Sequence, residues 1–255
     1  MSRIISIANQ KGGVGKTTTS INLAACLAEA GKKVLVIDLD PQGNATSGLG
    51  LDKNNLEATV YQLLLGEKRV DQAIAKTAFD NLHVLPTNVE LSGAEIELVH
   101  FEEREFILKR ILADLKYLYD FILIDCPPSL NILTVNALSA SDTVLVPLQC
   151  EYFAMEGLSQ LMHTIDLVNK NLNRRLSLEG VVFTMYDPRT NLSAQVVKEV
   201  RAHLEANIYN SIIPRNVRLS EAPSHGLPIN VYDPKSKGSE AYKALAQEVI
   251  NKEAI

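Results

Sequence analysis

The sequence predicts an α/β fold, a mostly parallel sheet covered by helices on both faces, as a single domain over residues 1–255. Three observations predict it. Short β-branched runs recur with helix-patterned stretches between them, the rhythm of strand–helix–strand units. Those runs are continuously apolar instead of alternating, which suits strands buried on both faces. A chain of 255 residues, 46% hydrophobic and 22% charged, fills one large core and is short for two full domains.

In order, the first strand is read at residues 4–8, ahead of a glycine-rich loop. A helix over 16–30 follows, closed by Gly31 at the C′ position. Strands are predicted at 34–37, 82–85, 121–124, 143–146, 181–184 and 211–213, and helices at 102–117, 157–169 and 192–207. The last helix is read over 239–252 with Ser239 as its N-cap. Stretches 43–55, 187–191 and 215–238 read as loops of the kind that carry function. There is no internal repeat or low-complexity tract.

The formal charge is −5, so the chain as a whole is not a basic nucleic-acid coat. Residues 1–150 carry 13 basic and 18 acidic groups and residues 151–255 carry 12 of each, which puts the acidity in the first half. Cys26, Cys126 and Cys150 form no CxxC pair, arguing against a disulfide framework or zinc module and fitting a reducing cytoplasm. The five histidines show no metal-ligand spacing. The N-terminal residues read as neither a signal peptide nor a membrane span.

The chemistry concentrates after the first strand, at Lys11-Gly12-Gly13-Val14-Gly15-Lys16-Thr17-Thr18. Glycines let the backbone wrap a phosphate and aim N–H groups at it, Lys16 supplies positive charge, and Thr17 offers a hydroxyl to Mg²⁺. The loop departs from GxxxxGK[ST], because Gln10 occupies the first glycine position and Lys11 opens the loop. A second lysine has no role in a simple cradle, but it can neutralise charge on a nucleotide held across a subunit interface. Two apolar strands then end in carboxylates, Asp38-Leu39-Asp40 and Asp125-Cys126. Ligands sit at the carboxyl ends of parallel strands, so Asp38, Asp40 and Asp125 can converge with the loop on one nucleotide.

The blocks KGGVGKTT, VIDLDPQGN and FILIDCPPS resemble the ParA/MinD group of deviant P-loop ATPases, and within it the chromosome-partitioning ParA/Soj proteins. The likeness extends through CPPSLNILTVNAL, VPLQCEYFAMEGLSQL and IPRNVRLSEAPSHGLPI, with only residues 51–119 weakly specific. The resemblance implies a P-loop NTPase sheet and a Mg²⁺-dependent ATPase that forms a sandwich homodimer around two ATP molecules. It implies further that the dimer binds double-stranded DNA without sequence preference and is reset to monomer by hydrolysis that a ParB partner stimulates, in the cytoplasm and on the nucleoid. Lys11 matches the lysine that reaches the partner's nucleotide, and Lys16 the one that holds phosphates in cis. Thr17 matches the direct Mg²⁺ ligand, with Thr18 beside the α-phosphate and Asp38 and Asp125 on the metal side. Asp40 matches the carboxylate that positions the attacking water. Gly12 sits where subunits approach, and Pro214, Arg215 and Asn216 look like the adenine-side contact.

Residues 189–237 hold seven basic and four acidic groups, a basic patch on an acidic protein. Lys198 and Arg201 are three apart on one helix face, Lys235 and Lys237 follow, and the resemblance favours Arg189 and Arg218 as further DNA contacts. A MinD-like membrane ATPase is the alternative. It needs a C-terminal amphipathic helix with bulky apolar and basic faces, whereas residues 239–253 are rich in alanine, with three acids and two lysines, and read as a helix docked on the domain, without stable membrane binding. An iron–sulfur reductase lacks its cysteine context here, and a small-molecule kinase or ligase leaves Lys11 without a role.

Overall fold

The computed structural model describes residues 2–152, 154–204 and 208–252. In chain order the elements are β1 (Arg3–Ile7), α1 (Lys16–Glu29), β2 (Val34–Asp38), α2 (Asn44–Gly48), α3 (Val60–Leu64), α4 (Val70–Ala73), β3 (Ala75–Lys76) and β4 (Leu82–Leu85). Then come α5 (Leu91–Glu97), α6 (Ile107–Leu112), β5 (Phe121–Asp125), α7 (Ile132–Ala140), β6 (Thr143–Gln149) and α8 (Ala154–Asn171). The chain finishes with β7 (Ser177–Tyr186), α9 (Asn191–His203), β8 (Ile208–Pro214), α10 (Val217–Glu221), α11 (Ile229–Tyr232) and α12 (Lys237–Asn251).

One sheet runs in the order β3-β4-β2-β5-β1-β6-β7-β8. All pairings are parallel except the short edge pair β3–β4. Alternation along each strand divides the apolar side chains between two cores. Ile4, Leu35, Ile122 and Val144 point to the face covered by α5, α6, α7 and α8, while Ile5, Val36, Leu123 and Leu145 point to the face covered by α1 and α12. Because β1 lies between β5 and β6, the chain order reverses there and a crevice opens beyond its carboxyl end.

Gly31 adopts φ +81 and completes a Schellman closure, its N–H donating to Ala28 O and that of Lys32 to Leu27 O. Four expectations need correction. The predicted helix 102–117 is broken into 3₁₀ turns flanking the short α6, because Glu103 takes a left-handed φ of +50 and the turn tightens after Arg110. The N-cap of α12 is Ser236, which accepts from Ser239 N–H, so Ser239 is the third helical residue. Residues 215–238 hold α10, a 3₁₀ turn and α11, and residues 44–48 form α2. Helix α7 went unforeseen, because most of its residues are buried and it shows no polar face to give a period. The predicted continuation of α9 over residues 205–207 lies outside the described residues.

Candidate active site

The glycine-rich loop and the residues entering it are held by bonds to β6 and β7. Asn9 Nδ2 donates to Pro147 O at 2.8 Å, Ala8 N–H to Leu145 O at 3.1 Å, and Thr184 Oγ1 to Val14 O at 2.8 Å. Gly13 and Gly15 take φ of +75 and +88, conformations that favour glycine. Gly15 is also the N-cap of the 14-residue α1 and offers no capping side chain, so the first N–H groups of the helix are left for an anion. A Cβ at Gly12 would meet nothing within 4 Å. Lys16, 7% exposed, folds back to donate to Lys11 O at 3.1 Å. Burial lowers its pKa, against the opposing pull of Asp125.

Behind the loop stand the two strand-end carboxylates, both fully buried on adjacent strands. Asp38 is saturated. Its Oδ2 accepts the N–H and hydroxyl of Thr46, each at 2.8 Å, and its Oδ1 accepts Asp40 N–H at 3.2 Å. Asp125 is not: Oδ1 accepts from Ser20 Oγ at 2.8 Å, while Oδ2 is buried with no partner. Burial raises both carboxyls, and Asp38 beside it raises Asp125 further. A buried carboxylate oxygen without a donor, facing Thr17 and lying near Lys16, suits the water shell of a divalent cation. Asp40 is only partly buried and accepts Gln42 N–H at 3.0 Å.

Two contiguous cavities open from this wall. One of about 260 Å³ is lined by Gly12, Gly13, Gly15, Lys16, Thr17, Thr18 and Asp40. The other, about 440 Å³, shares Gly15, Thr17 and Thr18 and continues past Pro214, Arg215, Asn216 and Leu219. The open space over Gly12 and Gly13 leaves room for phosphate oxygens. Thus Gly12, Gly13, Gly15, Lys16, Thr17, Thr18 and the expected base-side residues Pro214, Arg215 and Asn216 line one cleft, with the buried Asp38 and Asp125 behind it, whereas Lys11 and Val14 do not line it.

Residues not singled out from the sequence complete the site. Met185, at φ +50, and Asn44 line both cavities. Glu151 ion-pairs with Lys11 and also accepts from Gln149 Nε2. Its signal was present, since Glu151 follows an apolar strand just as Asp40 and Asp125 do. Cys126 is buried beneath the site with its thiol pushed up to about 12, an inert group.

The proposed DNA residues fall into two groups. Arg189 precedes α9, on which Lys198 and Arg201 are exposed. Arg218 on α10 pairs with Glu221 at 2.8 Å and with Asp233 at 3.5 Å, near exposed Lys235 and Lys237. Arg189 is held by both oxygens of Asp187, at 2.9 and 2.7 Å.

A family model described as AAA domain matches residues 2–178. The chain is 58% identical over 249 residues to the sporulation initiation inhibitor protein Soj of Bacillus subtilis, covering 98% of each. It is 54% identical to the chromosome partitioning protein ParA of Myxococcus xanthus, over 98% of this chain and 89% of that one. A crystal structure of cobyrinic acid a,c-diamide synthase from Mycobacterium smegmatis, with bound ADP and magnesium, superimposes with a TM-score of 0.87 at 40% identity, over 98% and 94% of the two chains.

Proposed function

The chain belongs to the ParA/Soj family of chromosome-partitioning ATPases, and from that premise we propose that its ATP-bound homodimer holds DNA and is released by hydrolysis. The chain is an α/β P-loop ATPase that takes ATP and Mg²⁺. The observation that carries the reading is the convergence of Gly12, Gly13, Gly15, Lys16, Thr17, Thr18 and Asp40 on one two-part cleft, with the buried Asp125 behind it.

Bound MgATP supplies the scissile phosphoanhydride and a divalent charge on its phosphates. Lys16 and the N–H groups opening α1 hold the phosphates, and Thr17 presents its hydroxyl to the metal with Asp125 behind it. Asp38 acts through structure, since Thr46 occupies one oxygen and the Asp40 N–H the other, which fixes the backbone carrying Asp40. Asp40 orients the attacking water. Pro214, Arg215 and Asn216 line the base end. Lys11 completes the site of the partner subunit, for which it must leave Glu151. Two copies of the basic surface made by Arg189, Lys198, Arg201, Arg218, Lys235 and Lys237 then engage DNA phosphates. A ParB-type partner accelerates the return to monomer, and DNA binding by the ATP dimer puts the protein on the nucleoid in the cytoplasm. Helix α12 supports this over membrane attachment, because Tyr242, Leu245, Ala246 and Val249 are buried against the domain.

The deciding experiment is duplex DNA binding with ATP, with ADP and without nucleotide. ATP-dependent affinity is expected; equal affinity in all three states refutes the reading. Product analysis distinguishes it from a ligase, with ADP and phosphate expected in the absence of any metabolite.

A further inference from the structure

Asp40 sits on a turn that leaves the sheet, so its aim depends on what fastens that turn. Leu39 N–H still follows the sheet and donates to Asp125 O at 3.0 Å. Beyond it the turn closes on itself, with Gln42 N–H on the Asp40 carboxylate at 3.0 Å and Gly43 N–H on Asp40 O at 2.8 Å. Both ends then fasten to one buried anion. Asp40 N–H donates to Asp38 Oδ1 at 3.2 Å, and on the far side of the turn the N–H and the hydroxyl of Thr46 each donate to Asp38 Oδ2 at 2.8 Å. Gly43, the N-cap of α2 at φ +61, has no side chain to cap that helix, and Asp38 takes its place. An outer tie runs from Lys53 Nζ to Gln42 O at 2.7 Å, but it lies in solvent, where water competes for both groups.

The direction of each inner bond is fixed. Thr46 and Thr87 are both fully buried, and Thr87 N–H donates to the Thr46 hydroxyl at 3.0 Å. A backbone N–H can only donate, so the single hydroxyl proton of Thr46 is committed to Asp38. Valine has nearly the same shape and can neither donate nor accept. It would leave Asp38 Oδ2 with one donor and Thr87 N–H orphaned in the interior, a loss that a buried carboxylate meets by turning toward other donors. We propose that Thr46 is a positioning residue for hydrolysis: its hydroxyl, oriented by Thr87 N–H, locks the Asp38 carboxylate and with it the backbone that carries Asp40. The proposal rests on the role of Asp40 as the group that orients water. Thr46 lines neither cavity, so its effect falls on turnover and not on nucleotide affinity.

The test measures phosphate release by the full chain with MgATP, at a temperature where urea melts show each variant folded. Thr46→Val is expected to lower kcat by about tenfold or more, inside the roughly 10²-fold that a misplacement of about 1 Å can cost. KM for ATP should stay within about threefold of the wild type, as expected when ground-state binding is untouched. Thr46→Ala repeats the loss without the branched side chain, and Thr46→Ser, which keeps the hydroxyl, should recover most of kcat. In an Asp40→Ala background Thr46→Val should cause no further loss of single-turnover hydrolysis, because the two residues act as a unit. Wild-type kcat in the valine and alanine variants, a change confined to KM, a serine variant as slow as the valine one, or an additive loss in the Asp40→Ala background would each overturn the proposal and leave the role of Asp40 standing. Undiminished turnover by Asp40→Ala alone would overturn that role and this proposal together.

Discussion

Lys11 and Lys16 lie five residues apart in one loop, yet their surroundings differ. Lys16 is buried and turned into the cleft, whereas Lys11 is partly exposed and held outward by Glu151. Lys16→Ala should therefore lower ATP affinity by about 10–100-fold, the worth of one or two charge-assisted hydrogen bonds. Lys11→Ala should keep most monomer affinity while losing dimer and hydrolysis. Isothermal titration beside light scattering checks this, and equal affinity losses would mean that Lys11 acts in cis. Asp40→Ala removes the water-orienting carboxylate and leaves the cradle intact, so turnover should fall by about 10²-fold or more while ATP-dependent dimer accumulates; size exclusion showing only monomer counts against that role. The loop and strand-end acids were legible because the glycines and lysine, and then the carboxylates, each directly follow an apolar run, on the strands β1, β2 and β5 that neighbour one another in the sheet. Met185, Asn44 and Thr184 were not, since they reach the cleft through the closure of the sheet and carry no local signature.

Strands were easier to read than helices, for a physical reason. A strand buried on both faces shows as an unbroken apolar run, while a helix shows only where one face stays wet. Hence α7 escaped notice and α6 was overextended across Glu103, whose positive φ no local pattern announces. The amino ends of the strands are tied together by another group that pattern reading passed over, Glu179 on β7. It is 2% exposed and accepts from Arg3 of β1 at 2.8 Å, Thr143 of β6 at 2.6 Å and Tyr209 of β8 at 2.8 Å, with Lys252 beyond α12 at 3.5 Å. Burial pushes its carboxyl up, but Thr143, Arg3, Lys252 and Tyr209 together hold it below its usual value. A depressed carboxyl pKa contributes stability that is present above the unfolded value, near 4.5, and is lost as pH falls through the folded one. Glu179→Gln should cost about 3 kcal/mol at neutral pH by leaving Arg3 and Lys252 without their shared anion. The deficit should shrink below pH 4. Urea melts at pH 7 and at about pH 3 measure both, and an equal deficit at the two values would deny the charge-based account.

At the scale of the whole molecule, a chain of formal charge −5 can hold DNA only if its positive groups are gathered on one side and multiplied. The sequence shows a basic excess over residues 189–237, but not that two of its arginines already have intramolecular carboxylates, Asp187 for Arg189 and Glu221 with Asp233 for Arg218. Both arginines are exposed, so a phosphate can exchange for the carboxylate where the two subunits of a dimer present their surfaces together. Each phosphate neutralised contributes about 0.9 to the slope of log K against log salt. Four arginines in a dimer therefore account for a slope of up to about 3.6. Arg189→Ala with Arg218→Ala should flatten the slope by that order and weaken binding to duplexes of any sequence, with ATP-dependent dimerisation unchanged. Asp187→Asn should act in the opposite direction, because it frees Arg189 from its local anion. Anisotropy titrations of unrelated duplexes at several salt concentrations measure both. An unchanged slope in the arginine double variant, with dimer intact, would move the DNA surface onto Lys198, Arg201, Lys235 and Lys237 alone, whose ammonium and guanidinium groups carry no ion pair among the described residues.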